Sequence, residues 1–173
     1  MRKWLILFCA PVILGLVNFS IWQNEQLIEH GKTVLLELAP VDPRSLMQGD
    51  YMALRFAMAD NIRQHLDDKT ENLDGKVIVQ LDGQQRASFI ALDEQQTLAE
   101  NQLHLQFRLR NGQVKFATNA FFFQEGTGSL YEQGKYGRFS VGPEGQLLLT
   151  HLVDAELQTL GQSKLLQLNE TTN

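Results

Sequence analysis

The chain has 173 residues, which suits one domain of ordinary size with little room for a second. Hydrophobic residues make up 43% and charged residues 20%, so the usage is globular rather than disordered. Lys and Arg number 15 against 20 Asp and Glu; this formal charge of -5 argues against nucleic acid as a partner. The single cysteine, Cys9, excludes an intramolecular disulfide and a cysteine-rich zinc site.

Arg2 and Lys3 lead into residues 4–22, a run without a charge. As a helix the run would span about 28 Å, close to the roughly 30 Å hydrocarbon core of a bilayer. Trp4 and Trp22 bracket it where interfacial aromatics belong, and Pro11, Gly15 and Asn18 are tolerated in membrane helices. The competing reading is a cleaved signal peptide, but its apolar core would be shorter and would end at a small-residue cleavage site, which is not evident here. Arg2 and Lys3 precede the run, whereas Glu25 and Glu29 follow it, so the positive-inside rule puts the N-terminus in the cytoplasm. Without those two cations the rest carries 13 basic and 20 acidic residues, a net of -7. The expected division is a cytoplasmic start at 1–3, a transmembrane anchor at 4–22 and a polar stalk at 23–32. A β-rich extracytoplasmic domain at 33–168 and a polar tail at 169–173 follow.

The body reads as mainly β, or α+β with a minor helix, built as an antiparallel sheet or sandwich. Residues 33–38 alternate as a strand with Val34, Leu36 and Leu38 on one face. Pro40-Val41-Asp42-Pro43-Arg44-Ser45 breaks regular structure, and Gly49-Asp50 signals a turn. Residues 51–56 alternate again, with Met52, Leu54 and Phe56 inward and Tyr51, Ala53 and Arg55 outward. A short helix at 57–66 would bury Met58, Ile62 and Leu66. Strands at 76–81 and 87–92 flank an Asp82-Gly83 turn. The sharpest local signal is the hairpin at 103–119. Leu103, Leu105, Phe107 and Leu109 alternate with polar residues, and Asn111-Gly112 is the preferred pair for a type I′ turn. That register sets Leu109 against Val114 and Phe107 against Phe116. Its other face carries Arg108 beside Lys115 with Arg110 close by, a candidate patch for an anion or carboxylate, or simply a solvated face. The run Ala120-Phe121-Phe122-Phe123 reads as a fully buried strand. Glycines make 126–137 loop-rich, and 138–141 pairs with 146–152 across Gly142-Pro143-Glu144-Gly145.

Catalytic signatures are missing. His30, His65, His104 and His151 are scattered without a local ligand pattern, and no nucleophile elbow or phosphate-binding glycine loop is present. No cofactor or metal is expected. Ser45-Leu46-Met47-Gln48-Gly49-Asp50 resembles a stretch of type I signal peptidases. However, Val41 stands where their serine nucleophile would align, and no activating lysine is marked.

Gly49-Asp50-Tyr51-Met52-Ala53-Leu54-Arg55-Phe56 resembles the defining motif of the GDYXXLXY family, membrane-anchored bacterial proteins of unknown function. The lead-in Pro40–Leu46 and a second block, Phe123-Gln124-Glu125-Gly126 with Tyr131-Glu132, look similar too. Phe56 stands where the motif has Tyr. The resemblance implies an inner-membrane anchor, a periplasmic domain and a polytopic membrane protein as partner, and it supplies no catalytic residue. Structurally, Gly49 suits a positive φ and Asp50 can bond the turn backbone. Functionally, Asp42, Arg44, Asp50, Tyr51 and Glu125 form a candidate polar cluster. The rival functions are an envelope hydrolase using Glu125 and Asp50 with Arg44 as anion clamp, and an anion sensor using Arg108, Arg110 and Lys115.

Overall fold

The computed structural model describes residues 2–40, 47–48, 51–67, 69–93, 97–124 and 126–161, with side chains from Ile13 onward apart from Met47 and Gln48. The first element, α1 (Arg2–His30), runs through the expected anchor and most of the expected stalk as one helix of 29 residues. Its described apolar side chains stand away from the rest of the chain: Ile13, Leu14, Leu16, Val17, Phe19, Ile21 and Trp22 are all about half exposed or more. They point to every side of the helix, so α1 has no inward stripe. Among the described residues, no helix is long and apolar enough to cross a membrane. The side chains of residues 4–12, half of the uncharged run, are not among those described.

The root of α1 is pinned to the head. The Gly31 N–H and the Ser140 hydroxyl both donate to the Leu27 carbonyl, which satisfies one of the orphan acceptors of the helix end. Ser140 is thereby paired although it is buried. Gly31 is fixed by space, because a Cβ there would overlap Ser140 Oγ and the Leu27 carbonyl.

The head is mainly β, and its paired strands are antiparallel. β1 (Lys32–Glu37) and β10 (Leu147–Val153) flank β9 (Tyr136–Val141) in one sheet. β2 (Met47–Gln48), β3 (Tyr51–Ala53) and β8 (Ala120–Phe122) form a second, in that order. The third has the order β5 (Ala87–Leu92), β4 (Leu73–Leu81), β6 (Gln102–Arg110), β7 (Gln113–Lys115). A short helix, α2 (Met58–Gln64), and a 3-10 turn at Gly128–Leu130 complete the described elements. α2 buries Met58, Ala59 and Ile62, and Leu66 beyond it packs on the core.

A few backbone links join the sheets. The Leu35 N–H donates to the Gln85 carbonyl at 2.8 Å, Leu38 bridges Phe56, and the Gln106 N–H donates to the Gly145 carbonyl at 2.8 Å. The enclosed core centres on three rings. Phe56 meets Phe116 edge-on at 5.7 Å and Phe139 at 5.5 Å, a favourable geometry for aromatic quadrupoles.

The 103–119 hairpin forms in the expected register, with Leu109 opposite Val114 and Arg108 opposite Lys115. Asn111 and Gly112 have φ of 51° and 72°, as a type I′ turn requires. β7 stops at Lys115, so Phe116 is buried without a ladder partner across from Phe107. The strand expected over 51–56 is shorter, ending at Ala53, although Met52, Leu54 and Phe56 are buried as their alternation requires. β1 is buried on both faces, because Leu35 points toward the Gln85 turn while Val34 and Leu36 fill the core. The expectation of a fully buried strand at 120–123 is corrected. β8 is an edge strand, and Phe122 is 74% exposed. A continuous apolar run cannot distinguish an edge strand from a central one.

Candidate functional site

Tyr51, first residue of β3, is the member of the expected polar cluster that lies among the described residues; Asp42, Arg44, Asp50 and Glu125 lie outside them. Tyr51 is paired across the ladder with Phe122, their rings 5.9 Å apart and tilted. Next to it, Phe121 and Phe123 both pack on Tyr131, at 5.0 and 5.6 Å. β8, which leads into the second family-like block at Phe123, therefore lies against the first block, and the aromatic residues gather along this edge. Its inner rings anchor the sheet, and Phe122 remains open to solvent.

A second polar feature follows directly on β3. Arg55 pairs with Asp60 of α2 at 2.7 Å, and both side chains are exposed. They line a cavity of about 340 Å³ with Arg63 and Asn119, whose Oδ1 is buried and has no hydrogen-bond partner among the described residues. The sequence reading placed Arg55 on the outer face of its strand and did not anticipate this neighbourhood. It forms because α2 turns back beside the β6–β7 hairpin.

The cationic patch is only partly as the hairpin register suggests. Arg108 and Lys115 stand opposite one another. Arg110 is diverted: its Nη2 lies 2.6 Å from Asp74 Oδ1, and its Nη1 donates to the Leu73 carbonyl. The cause is the pairing of β4 with β6, which sets Asp74 opposite Arg108 and beside Arg110. The place of Arg110 is taken by Lys76, which the sequence reading missed. Lys76, Gln106, Arg108 and Lys115 line a cavity of about 460 Å³ between β4–β6 and the start of β10. Lys76 also reaches Glu144 at 3.4 Å, while Gln106 Nε2 donates to the Glu144 carbonyl at 3.0 Å. The turn carrying Glu144 thus forms one rim.

The histidines stay apart, and no group of three or more metal-ligating side chains occurs among the described residues. His104 Nδ1 lies 3.1 Å from Asp93 Oδ2. His151 sits opposite Arg138 in the β9–β10 ladder. Burial and the Arg138 charge lower its pKa below the usual value of 6.5. The sign follows: between the unfolded and folded values the unfolded chain binds more protons, so stability falls as the pH drops through that window. Between about pH 7 and pH 5, the melting temperature should fall less steeply for His151→Gln than for the wild type. Equal slopes would show that His151 is not the group responsible.

These features describe an antiparallel β domain rooted on an N-terminal helix with exposed apolar sides, with aromatic residues gathered along one edge. The chain belongs to the GDYXXLXY family, whose model matches residues 13–152. No curated protein and no solved structure matches it.

Proposed function

We propose that the protein is a single-pass inner-membrane protein whose periplasmic β domain is a non-enzymatic binding or assembly module for a polytopic membrane protein. The observation that carries this reading is α1. Its described apolar side chains from Ile13 to Trp22 project in all directions and are about half exposed or more, so a bilayer is the medium that suits them. Arg2 and Lys3 on one side of the uncharged run, and Glu25 and Glu29 on the other, favour a cytoplasmic N-terminus. The pinned root at Gly31 and Ser140 would hold the head against the membrane surface rather than on a loose tether.

For the partner, the aromatic edge is the surface best suited, since an exposed Phe beside Tyr is the composition of interface anchors. The test places a photo-crosslinking residue at Phe122 in the full chain, with a control at Glu144, followed by solubilisation in mild detergent. The expected product is one integral membrane protein captured from position 122 and not from 144. Recovery of a free monomer with no adduct from either position would overturn the assembly role.

A further inference from the structure

We infer that the cavity lined by Lys76, Arg108 and Lys115 is a binding site for a small organic anion carrying at least two carboxylates. The inference stands apart from the membrane reading, because none of these residues lies near α1 in the sequence or contributes to its root.

The first argument is a broken local rule. Arg108 and Lys115 are directly opposite across the β6–β7 ladder. Like charges in that position destabilise a sheet. The domain is acidic, with 13 basic against 20 acidic residues outside Arg2 and Lys3, so carboxylates to place there are plentiful. One is already in use nearby, since Asp74 engages Arg110. Lys115 nevertheless makes no hydrogen bond or ion pair among the described residues, and Arg108 donates to the Ala117 carbonyl at 2.9 Å without a carboxylate partner. Asp74 stands opposite Arg108 on the other side, across the β4–β6 ladder, but its carboxylate is engaged by Arg110, so the repulsion between Arg108 and Lys115 is only partly offset, and a ligand can supply the rest.

The second argument is shape and chemistry. At about 460 Å³ the cavity lies in the range of small-molecule sites. Phe107, Ala117 and Leu147 supply apolar wall to the same space that the cations enter. Arg108 offers a planar fork matched to a carboxylate, while Lys76 and Lys115 act as point charges on either side of it. Lys76 is bound only loosely by Glu144, at 3.4 Å with a Glu144 side chain 79% exposed, so Glu144 can yield to a ligand carboxylate. Asp74 lines the cavity too, but Arg110 holds it; with Arg110 counted, four cations stand against Asp74 and the exchangeable Glu144, and the excess of two positive charges favours an anion with two charges over a singly charged one. Gln146, at the rim, has a buried Oε1 with no hydrogen-bond partner among the described residues; it would accept from a ligand hydroxyl.

The experiment is calorimetric titration of the full-length protein in detergent with succinate, citrate and inorganic phosphate, each at matched ionic strength against sodium chloride. Succinate or citrate should give saturable heat, and phosphate should bind more weakly. Arg108→Gln and Lys115→Gln should each weaken binding by about tenfold or more, and Lys135→Gln, at a cation paired with Glu37 and outside the cavity lining, should leave it unchanged. Lys115→Gln has a second signature: it should raise the melting temperature of the ligand-free protein, because the repulsion across the ladder is gone, while abolishing the further rise given by citrate. Absence of heat with all three probes, or equal affinity in wild type and Arg108→Gln, would overturn the assignment. Tighter binding of phosphate than of either carboxylate would overturn the polycarboxylate class.

Discussion

Replacing Phe56 by alanine should lower the unfolding free energy of the head by about 3–5 kcal/mol, the range for deleting a buried aromatic ring. The ring is 1% exposed and touches both other members of the aromatic centre, Phe116 and Phe139. It is also wedged against backbone, since a Cβ built on Gly137 would lie 3.3 Å from Phe56 Cε1. A hole at this place cannot close by the shift of one flexible side chain. Its walls are Phe139 on β9, Phe116 after β7 and the Leu38–Phe56 bridge, so collapse would have to move several elements at once. Domains of this kind are stable by only about 5–15 kcal/mol, so the variant would be marginal. Urea unfolding followed by far-ultraviolet circular dichroism is the suitable measurement, because both tryptophans, Trp4 and Trp22, lie in α1 and would not report on the head. A loss below about 1 kcal/mol would show that the ring is not the keystone the packing makes it. Phe56→Tyr, which restores the residue of the family motif, should cost less, about 1–3 kcal/mol, arising from burial of a hydroxyl.

The parts legible from the sequence were those encoded within a few residues. The Asn111-Gly112 turn and the alternation on either side of it specify the hairpin register completely, and Arg108 therefore falls opposite Lys115 as expected. The inward faces of 34–38 and 52–56 were equally local. Pairings of distant segments were not legible. Nothing near Val34 announces that its partner is Phe139, or that Tyr51 will lie against Phe122. That second pairing made β8 an edge and exposed Phe122, where an apolar run suggested burial. The candidate sites divide along the same line. Two of three patch cations follow from hairpin geometry. Arg110 is withdrawn by Asp74, and Lys76 is brought in, because β4 pairs with β6 and the Gly142–Gly145 turn folds onto Gln106. Those are tertiary facts with no local trace. The hydrolase reading needs Glu125, Asp50 and Arg44 in one concave site, and these residues lie outside the described ones.

Placing two arginines at the middle of the uncharged run, by Ile13→Arg and Leu14→Arg, should release the protein from the membrane. Each arginine near the centre of a membrane helix costs about 2.5–3.5 kcal/mol on insertion scales, so the pair opposes insertion by roughly 5–7 kcal/mol. That corresponds to a shift of about four orders of magnitude or more in the partition between bilayer and water. Ile13 and Leu14 suit the test because both are exposed, at 60% and 62%, and bear on no part of the folded head. The core around Phe56 should therefore survive, and far-ultraviolet circular dichroism of the released species can confirm it. Ile28→Arg is the control. It is also exposed, at 56%, but lies beyond Trp22 at the foot of the helix, where a cation reaches the interface without entering hydrocarbon. After alkaline washing of membranes, wild type and Ile28→Arg should remain in the pellet, and the double variant should be found in the supernatant or be degraded. A double variant held as firmly as the wild type would sink the anchor reading. So would a wild-type head recovered in the soluble fraction cut after residue 22, because α1 would then be a signal removed on export, with its exposed apolar sides needed only in transit.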